Sequence, residues 1–142
     1  MDQYQTLSLL QFAMIQNALF TIGIFFMLWV TFRFASHVRG DQGTVLSKVL
    51  VTLFGLLVIF QGLIVFASRV FSLSAATKSL QAIKASGQAL SVQSEAFLST
   101  PFASAAGDLH YSLTGDTFSV IWWLMATVML VAVVWMPVKK PA

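Results

Sequence analysis

The chain has 142 residues, 58% of them hydrophobic and 9% charged, with no cysteine, and its eight Lys and Arg against five Asp and Glu put the pI near 9.6. A soluble domain carries roughly 25% charged residues, so this composition, with its mean hydropathy of +0.84, excludes one. The absence of cysteine excludes disulfides, thiolate metal sites and cysteine nucleophiles, and the basic residues lie beside apolar runs rather than in a stripe, which points to membrane topology and not to nucleic acid.

Three runs, at about residues 7–32, 49–68 and 117–136, hold no Asp, Glu, Lys, Arg or His. At a rise of about 1.5 Å per residue, about 20 apolar residues cross the hydrocarbon of a bilayer, so each run predicts a membrane-spanning helix. Residues 1–142 then form one all-α membrane domain. The first span, about 7–32, has no positively charged stretch ahead of it and reads as a retained anchor. The turn after it, 33–48, carries Arg33, Arg39 and Lys48 against Asp41, and the tail 137–142 carries Lys139 and Lys140. By the positive-inside rule both lie in the cytoplasm, which leaves the N-terminus and the segment 72–116 outside. Trp29 and Trp135 then fall near the inner interface, and Tyr4, Trp122 and Trp123 near the outer one. Gly40, Asp41 and Gly43 mark the turn, and Thr44 or Ser47 is placed to accept from the first amides of the second helix. That helix, about 49–71, pairs with the first as an antiparallel hairpin.

From Leu73 a seam runs Leu73, Ala76, Leu80, Ile83, Gly87, Leu90, Ser94, Phe97 in steps of three and four, with polar residues elsewhere. This spacing predicts a long amphipathic helix from about 74 to 98, either continuing the second span or lying on the membrane surface. Leu73, Leu80, Ile83, Leu90 and Phe97 read as a stripe facing a partner. Gly87 and Ser94 at core positions make it a poor self-associating coil. Thr100 before Pro101 stops the helix, and Pro101 to Ala106 forms one further short turn. Asp116 caps the third span, which ends at Pro137.

Deep inside the spans the amides at matching depth are Gln16 and Asn17 on the first and Gln61 on the second. Counted from Arg33 and Lys48 they lie about 20–25 Å from the inner interface, a matching depth that predicts a hydrogen bond between the two helices. Gly55 and Gly62, seven residues apart, and Gly23 read as places where helices approach closely.

The spans offer no axial His for haem and no Lys for a Schiff base, so no cofactor and no catalytic residue is expected. Asp108 and His110 form the one Asp-x-His pair outside, two ligands where a zinc or copper site needs at least three. Uncharged spans, packing glycines and amides, and an outer helix without a chemical site predict a non-catalytic accessory subunit of a larger complex in a bacterial inner membrane, bound to other membrane subunits and to lipid. The alternatives are a homo-oligomeric pore lined by Gln16, Asn17 and Gln61, and a subunit that lends Asp108 and His110 to a metal site completed by a partner.

Overall fold

The computed structural model describes residues 2–40, 43–104, 109, 111–114 and 116–137. Five helices follow in chain order: α1 (Gln3–His37), α2 (Val45–Ala85), α3 (Val92–Leu98), α4 (Pro101–Ser104) and α5 (Thr117–Trp135). α1, α2 and α5 are each long and apolar enough to cross a membrane.

Local chemistry accounts for the helix ends. Thr44 Oγ1 accepts from the Ser47 amide at 3.2 Å and opens α2, satisfying one of the donors that a first turn leaves orphaned. α2 then runs for 41 residues. Between Leu63 and Ser86 the chain contains neither Gly nor Pro, so nothing interrupts the backbone ladder where the apolar run gives way to polar residues. The helix stops at Ala85, where the Gly87 amide donates to the Lys84 carbonyl at 3.1 Å and Gly87 adopts φ +81°. That left-handed conformation is cheap only for glycine.

The single helix expected over 74–98 is therefore two helices with a break between them. α2 continues the second span as far as Ala85, and α3 restarts at Val92. Ser91 caps α3, its hydroxyl accepting from the Ser94 amide, and Glu95 sits in the first turn, where a carboxylate favours the helix dipole. α4 follows with Pro101 at its first position, where the missing N–H costs nothing, and Thr100 Oγ1 accepts from Ala103 N at 3.4 Å. Asp116 caps α5 by accepting from the Phe118 amide at 3.2 Å, and it also accepts from the Ser119 hydroxyl.

Contacts gather the chain into two compact units. The first comprises Met1–Leu19 and Phe66–Gly115, the second Phe20–Val65 and Asp116–Ala142. In the first unit Leu80, Thr77 and Ser94 are fully buried, with Ala76, Thr6 and Ala103 nearly so. In the second, Leu130, Val134, Thr31 and Ala35 are fully buried and Trp123 is 1% exposed. Three threonine hydroxyls, two of them buried, answer to their own helix. Thr31 Oγ1 donates to the Met27 carbonyl at 2.8 Å, Thr77 Oγ1 to Leu73 at 2.9 Å and Thr127 Oγ1 to Trp123 at 2.9 Å. Such i−4 bonds hide a polar group without calling for a partner.

Candidate functional site

In the second unit two glycines of α2 make the contacts a side chain would forbid. A Cβ at Gly62 would run into the Trp123 indole, and one at Gly55 would strike Leu130 and, at 2.7 Å, Thr31 Cγ2. Both positions are buried. Trp123 in turn stacks on Phe25 with ring centroids 6.4 Å apart. Further along α5, Trp135 Nε1 donates to Thr52 Oγ1 at 3.1 Å, and the Lys48 ammonium lies 6.0 Å from the Trp135 ring centroid. These are packing contacts, and they use small residues as membrane helices do.

Gly23 behaves differently from the reading that grouped it with these two. A Cβ there meets nothing within 4 Å among the described residues, so it is not a close-approach point like the other two. It instead floors an open groove of about 360 Å³ in the second unit, lined by Phe20, Ile24, Met27, Phe54, Leu57, Val58 and Gln61. Gln61 is the only polar side chain in that lining, and it is exposed. Among the described residues it has no hydrogen-bond partner. The sequence could not separate Gly23 from Gly55 and Gly62, because all three sit in apolar surroundings and only the fold decides which face is covered.

The other two amides belong to the first unit. Asn17 is half-buried and its Nδ2 donates to the Ala13 carbonyl at 3.1 Å, a bond within α1. Gln16 is exposed.

The apolar stripe is largely consumed inside the first unit. Leu80 is 0% exposed, and Leu73, Ile83, Leu90 and Phe97 are half-buried. Leu80 therefore faces its own unit rather than a partner. Part of what holds this unit is a contact the sequence reading missed. Gln3 Oε1 accepts from the Ser91 amide at 2.8 Å and from the Ser94 hydroxyl at 3.3 Å. The start of α1 is thereby tied to the cap of α3. Phe71 and Tyr111 add an edge-on ring contact at 6.2 Å. No local signal announces a bond between residues 88 positions apart.

Asp108 and His110 lie outside the described residues, as do Asp41, Lys139 and Lys140. Among the described residues no group of three His, Asp or Glu side chains is placed to hold a metal.

Three helices long and apolar enough to cross a bilayer put the chain in the class of all-helical membrane proteins. Beyond that class, no family model, no curated protein and no solved structure matches it.

Proposed function

We propose that this chain is a non-catalytic accessory subunit of a larger complex in a bacterial inner membrane. Its turn at 33–48 lies in the cytoplasm, following the basic residues Arg33, Arg39 and Lys48, and the segment 72–116, with the end of α2 and all of α3, lies outside. The observation that carries the reading is Gln16. This amide is exposed on α1 about 25 Å from Arg33, at a depth where lipid tails offer no hydrogen bond. A neighbouring protein supplies what lipid does not. The first unit suits a bracing role. α2 enters it as a continuous helix, and the bonds from Ser91 and Ser94 to Gln3 fasten its second, shorter helix. In this reading Val92 and Phe102, both exposed on that unit, are its contacts to a partner's outer surface.

The test is gentle extraction of a tagged copy from its native membrane, followed by native mass measurement. Larger membrane proteins in fixed ratio to this chain are expected. Recovery of this chain with no other protein overturns the reading, and a closed ring of it would favour the pore lined by Gln16, Asn17 and Gln61.

A further inference from the structure

The groove on the second unit carries a knob, a hole and an amide on one face. Leu57 is the knob, 67% exposed. Gly23 is the hole, with open space where a side chain would be. Gln61 is the amide, exposed and among the described residues without a hydrogen-bond partner. Depths along the helices matter here. Gly23 lies about 21 Å along α1 from His37 and Leu57 about 18 Å along α2 from Val45, at about 1.5 Å per residue. Knob and hole are thus level to within about 3 Å when counted from the turn between the two helices.

An acyl chain would fill the apolar part of such a groove and leave the amide unsatisfied, since hydrocarbon neither donates nor accepts. The required occupant presents an amide and, about one helical turn away, a bulky apolar side chain level with a shallow floor. We propose that the occupant is the same groove of a second copy, related by a two-fold axis along the membrane normal. A primary amide is its own complement, because Nε2 donates and Oε1 accepts. Two Gln61 side chains near the axis form a reciprocal pair. The same axis sets Leu57 of each copy over Gly23 of the other, because a two-fold contact places residue i on j and j on i. Leu57 and Gly23, level with each other, meet that condition without any shift of one copy along the normal. Glycine at the contact lets the backbones approach closely, and the amides add direction to an otherwise apolar surface.

This pairing is a property of the chain alone and does not rest on its membership of a larger complex. The whole chain, labelled through Gln88→Cys in its otherwise cysteine-free sequence, is reconstituted in phosphatidylcholine and phosphatidylglycerol vesicles at falling protein-to-lipid ratio. Energy transfer between donor and acceptor copies measures association, and stepwise photobleaching counts the copies. Two copies per particle are expected at high density. Gln61→Leu should move the dilution midpoint about tenfold toward association only at higher density, the scale of the two interhelical hydrogen bonds of the reciprocal pair. Gly23→Leu should move it further. A Cβ at Gly23 meets nothing within 4 Å in the single chain, and circular dichroism checks that Gly23→Leu keeps the helix content. Met125→Leu, exposed on α5, should move nothing. Single copies at every density, pairing indifferent to both groove substitutions, or more than two copies per particle would each overturn the proposal.

Discussion

Replacing Gly62 by alanine tests how tightly α2 and α5 are fitted. The added methyl would lie against the Trp123 indole, with Cε2 at 2.7 Å, whereas carbon atoms in good contact sit about 3.5–4.0 Å apart. The ring or the helix must therefore move by about an ångström, and with Trp123 only 1% exposed the ring has little room to do so. Overpacking of this kind costs about 1–3 kcal/mol. Removing a helical glycine returns roughly 0.5–1 kcal/mol, so the net loss centres on about 1 kcal/mol, or roughly fivefold in the folding constant. Gly23→Ala receives the same backbone gain and meets nothing within 4 Å. It should be neutral or stabilising. Both variants are unfolded reversibly in mixed micelles, with helix content followed by circular dichroism, at dilutions where copies do not meet. In a Trp123→Phe background the penalty of Gly62→Ala should shrink, because the smaller ring vacates the contested space, and that coupling isolates the contact from general effects. Equal stability of Gly62→Ala and Gly23→Ala would refute the reasoning.

Three further outcomes follow from single contacts. Gly87→Ala forces a left-handed residue to carry a Cβ, with φ at +81°, and should cost about 1–2 kcal/mol, read as faster hydrogen exchange of the amides at 86–91. Gln3→Ala removes the acceptor of the Ser91 amide and the Ser94 hydroxyl, so the first turn of α3 should exchange roughly 5–150-fold faster, the scale of two net hydrogen bonds of about 0.5–1.5 kcal/mol each, while α5 is unchanged. Asp116→Ala strips the cap from α5 and should cost about 1 kcal/mol, with the Phe118 amide losing protection first; unchanged protection there would mean the cap is idle.

Features that depend on a few neighbouring residues are legible in the sequence. The three spans follow from uninterrupted apolar length, the Asp116 and Thr44 caps from residue type beside a helix start, and the short turn at Pro101 from the fixed φ of proline. The break at 86–91 was hidden by its own periodicity. Steps of three and four carry the seam through Gly87 and Leu90 into Ser94 and Phe97, although Gly87 and Leu90 lie in the break and Ser94 and Phe97 belong to a separate helix. Two signals there outweigh the period: a glycine suited to the left-handed end of a helix, and Ser91 three residues before Ser94, the pattern of a cap. The tie from Gln3 to Ser91, and the difference between Gly23 and the two packed glycines, depend on which surfaces the fold brings together. Apolar spans in particular tell little about facing, because lipid-facing and protein-facing sides are similar in composition.

The aromatic residues divide in a way that matters for any optical work on this protein. All four tryptophans, Trp29, Trp122, Trp123 and Trp135, belong to the second unit, and both tyrosines, Tyr4 and Tyr111, belong to the first. Light absorbed at the red edge of the protein band is therefore emitted by one unit only. Within that signal Trp123 is sealed and the other three are exposed, so a quencher dissolved in the surrounding lipid dims three emitters and spares the one that rests on Gly62. The residual emission is then a gauge of how well α5 is seated on α2, and events confined to the first unit leave it silent.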